Sequence, residues 1–291
     1  MPFGDVNRIN TNLGALSALN ALTDVNRQLQ VSQLRLATGK RINTASDDPS
    51  GYSISNTLAR KARGLGVALA GVQTVENLLG VAEGGLGNIK DILLTMRELV
   101  VQGASDTLGT TERTAVNTQL DSLQAEIDRI AAKTTFNGTP LLDGTFGGGG
   151  SWGGPPGNGA PKRFQTGDTG RDFISFSIAS NFNSTSIGLA IVSVDTSLAA
   201  SNSLASVDAA LSIVTGQVQQ IGSTVQRLRL IETNLSVAVT NTTAAKSRIQ
   251  DADIAKEQAT ATRLQILRQL ATAQLAQANV APQSVLSLVR G

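Results

Sequence analysis

The sequence predicts a mainly α-helical protein in which the N- and C-terminal parts form a long antiparallel helical coiled-coil bundle, with a small central β-hairpin region. Three observations support this fold class. Apolar residues recur at heptad spacing over long stretches of both halves, a Gly- and Pro-rich segment separates the halves, and a short segment of alternating apolar residues follows it.

The longest heptad pattern begins at Leu58 and continues for six heptads. Its a and d positions are Leu65, Val72, Leu79, Leu86, Leu93 and Val100, with Ala68, Val75, Ala82, Ile89 and Met96. Such a seam predicts a long helix packed in a left-handed coil. Glycines between 64 and 87 each cost about 1 kcal/mol relative to Ala, so we expect close approach of another helix to compensate. One continuous or bent helix is favoured over a break at residues 83 to 87.

Two further segments repeat this logic. A pattern of four- and three-residue steps from Val116 to Ile130 predicts a shorter helix, joined to the long one by residues 103 to 111 in an antiparallel helical hairpin. The same steps from Val207 to Val239 predict a seam helix in the second half. Only Glu232 interrupts that stripe, and a single charge in a seam is typical of a register or solubility device.

The two ends of the chain carry broader apolar surfaces. The N-terminal stripe is Leu13, Leu16, Leu19, Leu22, Val25 and Leu29, and the C-terminal end has two stripes, Leu264, Leu267, Ala271, Leu275 and Ala278 beside Ile266, Leu270, Ala273 and Val280. One partner helix cannot cover both C-terminal stripes. Charged residues between 254 and 280 favour burial among protein neighbours over a bilayer. Neighbouring copies of the chain are the economical source, so we expect ends that are poorly ordered in the monomer and fold on assembly.

The middle of the chain is different. Residues 146 to 162 are rich in Gly and Pro and predict a looped insert, and residues 164 to 178 alternate apolar and Ser positions after a Gly-containing turn, which predicts a β-hairpin. Six of the nine aromatic residues fall between 146 and 182, which predicts a small separate cluster covering one side of the helices.

Composition excludes several classes of function. The chain has no His and no Cys, which removes imidazole acid/base chemistry, thiol nucleophiles, disulfides and the usual zinc sites, so no enzyme, metal or cofactor is expected. The net charge of +2 comes from mixed charges and gives no basic face for nucleic acid. A Sec signal peptide and a stretch of about 18 consecutive apolar residues are both absent from the sequence, so no membrane insertion is expected.

The segment "ATGKRINTASDDPSG" at 37 to 51 is interpreted as a linker turn. A phosphate loop would need Gly at position 34 and Ser or Thr after Lys40, but the chain has Leu34 and Arg41. Gly39 is suited to ending one helix, and Asp48 as N-cap with Pro49 in the first turn is suited to starting the next. Lys40 and Arg41 either meet acidic groups on a neighbour or are simply solvated.

Five segments in this order resemble bacterial flagellin. They are "INTNLGALSALNAL" at 9 to 22, the linker at 37 to 51, "MRELVVQGAS" at 96 to 105, "TFNGTPLLDG" at 135 to 144 and "LAQANVAPQSVLSLV" at 275 to 289. The resemblance covers about 1 to 145 and 196 to 291, and residues 164 to 178 resemble the hairpin of that family's inner rod domain. With about fifty central residues, the chain looks like a short member of the family.

The resemblance implies a subunit that self-assembles into the flagellar filament for motility. It implies D0-like terminal helices at 1–45 and 250–291 forming the filament core, a D1-like rod at 46–145 and 196–249, and a short insert and hairpin at 146–195 packed on the rod. Subunits of this family are exported unfolded through the flagellar type III system, with an export chaperone, and fold beneath a cap next to junction proteins. The expected location is therefore the extracellular flagellum, without a cleaved signal peptide.

Host recognition is one point at which the chain departs from the family. The Toll-like receptor grips an Arg, a Leu and a Glu on the rod of immune-stimulating flagellins, and the matching positions here are Thr95, Leu99 and Gln119. Two of these three positions have lost their charge, so weak or no receptor activation is expected.

Three alternatives to a filament subunit differ in class. A hook-filament junction protein shares the terminal helices, but the C-terminal segment at 275 to 289 favours flagellin. A metallopeptidase inserted in the middle would need an H-E-x-x-H helix, which a chain without His cannot supply. A coiled-coil adhesion or binding module would form a defined small oligomer rather than an open-ended polymer.

Overall fold

A computed structural model describes residues 11–146, 161–178 and 180–290, with side chains described to residue 280. Within these ranges it contains five α-helices and four short strands. In chain order they are α1 (Leu13–Thr38), α2 (Pro49–Gly103), α3 (Thr110–Lys133), β1 (Thr135–Phe136), β2 (Thr139–Pro140), β3 (Lys162–Gln165), β4 (Phe173–Phe176), α4 (Ser197–Gln250) and α5 (Ile254–Arg290).

The mainly α-helical fold class is confirmed. The long helix is continuous, since α2 runs through residues 83 to 87 without a break. The chain divides into two compact units, which we call unit 1 (residues 1–60 and 241–291) and unit 2 (residues 61–240). The division falls within α2 and within α4, so each of these helices contributes residues to both units.

The core of unit 2 is the heptad seam. All eleven predicted a and d residues of α2 from Leu65 to Val100 are buried. They pack against α3 and α4, where Val116, Leu120 and Ile127 and the seam residues from Val207 to Leu235 are buried or half-buried. Removing this apolar surface from water provides the main stabilisation of the unit.

Polar contacts flank the seam on the outside. Arg97 Nε lies 2.8 Å from Asp208 Oδ1, and Arg229 Nε lies 2.7 Å from Glu76 Oε1. Glu232, the charge that interrupts the predicted stripe, accepts a hydrogen bond of 2.7 Å from Gln73 Nε2. All three contacts join α2 to α4.

The glycines of α2 fall into two groups. A Cβ at Gly85 would lie 2.7 Å from Thr134 Oγ1, and a Cβ at Gly64 would lie 3.1 Å from Asp168 Cβ. Close approach therefore holds at these two positions, but the neighbours are a loop and a hairpin turn, not the helix that the sequence predicts. Gly80 and Gly84 have no heavy atom within 4 Å of such a Cβ, so nothing in unit 2 offsets their helical cost.

The middle of the chain forms two small hairpins. The β3 and β4 strands pair antiparallel with Phe164 opposite Ile174, as the sequence predicts. The β1 and β2 strands form a second hairpin around Asn137 and Gly138, whose φ angles of 50° and 76° suit a two-residue turn with positive φ.

The central aromatic residues are not a separate cluster, and that prediction is wrong. Phe146, Phe176 and Phe182 are buried in the same core as the α2, α3 and α4 seam. The alternation of β4 points its apolar face onto the helices, so the two layers share one interior. Trp152, which belongs to the predicted cluster, lies outside the described residues.

One buried cation holds the connection between α2 and α3. The Arg113 guanidinium, 7% exposed, donates hydrogen bonds to four main-chain carbonyls. Three of them belong to the end of α2 and the following turn (Gly103, Ser105 and Leu108), and the fourth belongs to Val194 before α4. A single side chain thus joins two connections that are distant in sequence.

Helices α2 and α4 contain windows long and apolar enough to cross a bilayer by length and composition alone. The buried apolar residues of these helices between 61 and 240 form the seam of unit 2.

Candidate functional site: the surface of the terminal helices

The terminal helices α1 and α5 form an antiparallel pair within unit 1. Near one end, Asn12 Nδ2 donates to the Ala278 carbonyl at 2.6 Å, and farther along the pair Ser32 Oγ donates to the Glu257 carbonyl at 3.4 Å. Between these contacts, Leu29, Ala261 and Leu264 form a small buried cluster. The pair therefore covers one narrow row on each helix.

The predicted N-terminal stripe divides along the length of α1. Leu29 is buried, and Leu22 and Val25 are half-buried against α5. The residues closest to the start of the helix remain open to solvent: Leu13, Leu16 and Leu19 are between 47% and 55% exposed. Because three residues are less than one helical turn of 3.6, successive members of this stripe are rotated around the helix, so its first members do not face α5 as its last members do.

The two predicted C-terminal stripes have different surroundings. In the first, Leu264 and Ala271 are buried and Leu275 and Ala278 are half-buried, while Leu267 is 41% exposed. In the second, no side chain is covered: Ile266, Leu270, Ala273 and Val280 are all exposed. We call Leu13, Leu16 and Leu19 of α1 together with Ile266, Leu270, Ala273 and Val280 of α5 the uncovered rows.

Among the residues of unit 1 whose side chains are described, four more large apolar residues are exposed and were missed by the sequence reasoning. They are Val31, Leu34, Ile54 and Ile254. Val31 and Leu34 repeat the spacing of three that relates Leu13, Leu16 and Leu19. That spacing was visible in the sequence, but a single broad stripe does not distinguish its covered edge from its open edge.

The linker after α1 is held to the break between α4 and α5. Gly39 ends α1 with a left-handed φ of 68°, and its carbonyl accepts from Ala252 N at 2.9 Å. Arg41 N donates to the Gln250 carbonyl at 2.7 Å, and the Arg41 guanidinium donates to the Ile249 carbonyl. These two connections of unit 1 are therefore paired with each other.

The start of α2 is capped within the same linker. Asp48 Oδ1 accepts from Gly51 N at 2.9 Å, and Pro49 is the first helical residue. Asp47 Oδ2 accepts from the backbone N–H groups of Thr44 and Asn43. These hydrogen bonds, that from Thr44 above all, lower the pKa of Asp47 below its ordinary value, since they favour the charged carboxylate.

The positions that match the receptor contacts lie in unit 2. Thr95 is exposed, and its hydroxyl donates to the Asp91 carbonyl at 3.1 Å. Leu99 is half-buried against the core, and Gln119 on α3 is exposed.

Two clefts lie beside β3 in unit 2. One of about 740 Å³ lies between α2 and the hairpin turn, and a second of about 410 Å³ is lined by Phe136, Phe146 and Phe164. None of the residues predicted from the sequence as functional lines either cleft. The candidate site remains the surface of the terminal helices.

The uncovered rows are suited to binding another helix. Fully burying one Leu or Ile side chain contributes about 1.5 to 3 kcal/mol, and several such residues lie along each row. Rows on two different helices of one unit can bind two different neighbours, which is the requirement for an open-ended assembly.

Comparison with known proteins gives a consistent result. The family model described as the bacterial flagellin N-terminal helical region matches residues 9–147, and that of the C-terminal helical region matches residues 204–289. A flagellin of Bacillus subtilis is 36% identical over 97% of this chain and 100% of its own length. A flagellar filament 33 kDa core protein of Treponema phagedenis is 35% identical over 97% and 99%.

Similarity of fold extends to solved structures. A protein assigned as flagellar hook-associated, from Vibrio parahaemolyticus, covers 70% of this chain with a TM-score of 0.57 and 17% identity, over 100% of its own length. At that identity the likeness concerns the fold alone.

Proposed function

Because the chain belongs to the bacterial flagellin family and is a structural subunit of the flagellar filament, we propose that the uncovered rows of unit 1 are the surfaces through which its copies polymerise. The observation that carries this proposal is the pairing of α1 with α5. That pairing covers one row on each helix and leaves a second apolar row exposed. Contacts with neighbouring subunits would bury these rows.

Our proposal extends to the division of the chain. Residues 1–45 and 250–291 form the filament core, residues 46–145 and 196–249 form the surrounding rod, and residues 146–195 are an insert packed on it. The covered seam of unit 2 supports a rod that is stable in the monomer. The small buried cluster of unit 1 supports terminal helices that depend on assembly for their stability.

Substitutions on α5 test the polymerisation surface. Leu270→Asp places a charge on an uncovered row, where it would be buried between subunits, so we expect filament growth from purified, seeded protein to be lost. Gln265→Asp adds the same charge at an exposed polar position on another face of the same helix and is expected to leave growth intact. Electron microscopy counts filaments, and circular dichroism checks that both variants keep their helices.

Filament growth by the Leu270→Asp variant would contradict the proposal. If Leu270→Asp forms filaments as the parent chain does, the α5 row is not a subunit contact. A chain trimmed to residues 46 to 248 extends the test, because it lacks both terminal helices and is expected to form no filaments.

The export route is a further part of the proposal. We propose passage in an unfolded state through the flagellar type III system, aided by a chaperone at the C-terminal region, and folding at the cap next to the junction proteins. The limited cover of α1 and α5 supports it, since helices so little buried are only marginally stable alone. Limited proteolysis tests it: cleavage within 13–38 and 254–280 is expected in the monomer, with protection in the filament.

For the host receptor we propose weak or no activation. Thr95 and Gln119 offer no charge, and Leu99 is half-buried. A reporter-cell assay measures the response, and full potency at nanomolar protein would contradict the proposal. We also propose that the chain has no enzymatic activity, in keeping with the structural role of its family.

A further inference from the structure

We propose that the three polar contacts between α2 and α4 select the register in which these two helices pair. The proposal goes beyond polymerisation and does not depend on it, since it concerns folding within unit 2. Its starting point is a regularity in the contacts. Moving from Arg97 to Glu76 covers 21 residues of α2, and moving from Asp208 to Arg229 covers 21 residues of α4 in the opposite direction.

The third contact follows the same register. Gln73 lies three residues before Glu76, and Glu232 lies three residues after Arg229. The three contacts therefore belong to one antiparallel alignment, in which 21 residues are three complete heptads. The two ion pairs lie on the flank of the seam, where charged residues of coiled coils usually set the pairing, and Glu232 of the third contact lies at a seam position.

The apolar seam cannot set this register alone. Both helices present an aliphatic residue at every seventh position, from Leu65 to Val100 on α2 and from Val207 to Leu235 on α4. If one helix slides along the other by seven residues, aliphatic side chains again face aliphatic side chains. The seam specifies which faces meet, but a slide of one heptad conserves its chemistry.

The polar contacts do not survive such a slide. The observed register has two ion pairs and one hydrogen bond between an amide and a carboxylate. A slide in one direction loses all three and places Lys90 opposite Asp208. A slide in the other direction also loses all three and places Glu83 opposite Arg229. Arg97 and Glu76 come opposite uncharged residues in both directions: Ser201 and Gly222 in one, Thr215 and Ser236 in the other.

Exposure shows that these contacts act on specificity more than on stability. The Arg97 and Asp208 side chains are 47% and 49% exposed, so their attraction is weakened by solvent. Weak contacts still discriminate between registers when all of them are gained or lost together. A chain that must choose one register among equivalent seams needs this discrimination while it folds.

The chain offers a clean way to measure register, because it contains no Cys. Gly80 and Val225 lie one heptad beyond Gln73 and Glu232, so Gly80→Cys with Val225→Cys reports the observed register. Gly80→Cys with Val218→Cys and Gly87→Cys with Val225→Cys report the two slides. A direct disulfide is too short to join these positions, because no heavy atom lies within 4 Å of a Cβ at Gly80. Each pair is therefore refolded from denaturant under reducing conditions and treated with a short bis-maleimide, and the intramolecular cross-link is quantified by mass spectrometry.

The three reporters are compared in four backgrounds. The parent background keeps the contacts, and the reversed background carries Arg97→Asp and Arg229→Glu, which turns both attractions into repulsions. A restored background adds Asp208→Arg and Glu76→Arg. The control background carries Lys61→Asp and Arg227→Glu, which makes the same change in net charge on the same helices at exposed residues outside the three contacts.

The expected result is a fall of about tenfold in the ratio of cross-link in the observed register to cross-link in the slid registers in the reversed background, with recovery in the restored background and no change in the control. An unchanged ratio in the reversed background would overturn the proposal, because the seam and the connections held by Arg113 would then fix the register without the polar contacts. If the reversed chain fails to fold, the restored chain decides: refolding in the observed register supports the proposal, and failure to do so overturns it.

Discussion

Units 1 and 2 are built from similar helices with different surroundings. In unit 2, the seam of α2 is covered by α3, α4 and the central hairpins, and the side chains from Leu79 to Val100 on that seam are fully buried. In unit 1, the described parts of α1 and α5 pack on each other along a single row, whose buried apolar residues are Leu29, Ala261, Leu264 and Ala271. The difference lies in the number of partners, since both units have apolar residues at helical spacing.

This difference separates the two uses of an apolar residue. A row that is buried in unit 2 contributes to the stability of the single chain, whereas an exposed row in unit 1 contributes nothing until a neighbour covers it. Stability and assembly should therefore respond to different substitutions. The four predictions that follow test this separation and its details.

The largest expected effect on stability comes from the seam of unit 2. Leu86→Ala removes a fully buried side chain and leaves a cavity, so the free energy of unfolding should fall by about 2 to 5 kcal/mol. Leu270→Ala, on an uncovered row of unit 1, should change it by less than about 0.5 kcal/mol. Denaturant titration followed by circular dichroism measures both variants.

Assembly should depend more on the uncovered row of unit 1 than on the seam of unit 2. Leu270→Ala is expected to raise the protein concentration needed for filament growth, because it removes apolar area from the contact between subunits. Growth of the parent chain and of Leu270→Ala at equal concentration would show that stability and assembly are not divided between the units in this way.

The second-largest effect on stability is expected at Arg113, which joins the connection between α2 and α3 to the segment before α4. Unit 2 uses the buried Arg113, and Arg113→Met would leave four carbonyls without this donor at a cost of about 1 to 3 kcal/mol. Arg113→Lys keeps the charge but presents a single ammonium in place of the planar fork, so it should recover only part of the loss. Thermal unfolding of the three chains tests this order, and equal melting temperatures would exclude a role for the fork.

The third effect compares two adjacent glycines of α2. Gly85→Ala pushes a methyl against Thr134 and Leu142 and should destabilise the chain by about 1 to 3 kcal/mol. Gly84→Ala enters open space and should stabilise it by about 0.5 to 1 kcal/mol. Opposite signs are thus expected one residue apart, and a shared sign in the denaturation midpoints would contradict the assignment of the covered face.

Much of unit 2 could be predicted from the sequence because its residues obey a strict period. Every predicted a and d residue of α2 from Leu65 to Val100 is buried, because a heptad row lies on a single face of the helix. The aromatic cluster was mispredicted because spacing along the chain does not show that Phe146, Phe176 and Phe182 fold back onto the helices. Burial among elements distant in sequence is a tertiary property.

The limits in unit 1 are different. The sequence shows that α5 has two apolar stripes, but it does not show which of them α1 covers, and Leu267 lies exposed although it belongs by spacing to the covered stripe. The pairing of the Arg41 linker with Gln250 was also beyond prediction, because a backbone hydrogen bond between two turns leaves no residue pattern. The Asn137-Gly138 hairpin, by contrast, had its usual signal in the sequence.

The smallest effect is expected in the linker of unit 1, which contains the exposed carboxylate of Asp47, whereas the connection between α2 and α3 in unit 2 contains the buried Arg113. Hydrogen bonds from the Thr44 and Asn43 backbone lower the pKa of Asp47 below its ordinary value near 3.8. A carboxyl whose pKa is lowered by folding stabilises the folded chain above its unfolded pKa, and this contribution is lost as the pH falls through the folded value. The parent chain should therefore lose stability more steeply below about pH 4 than Asp47→Asn, which keeps an acceptor oxygen but does not titrate. Melting temperatures of both chains between about pH 6 and pH 2.5 measure the difference, and the solvent exposure of Asp47 keeps it small. Parallel curves over this range would show that the Asp47 hydrogen bonds do not persist in solution.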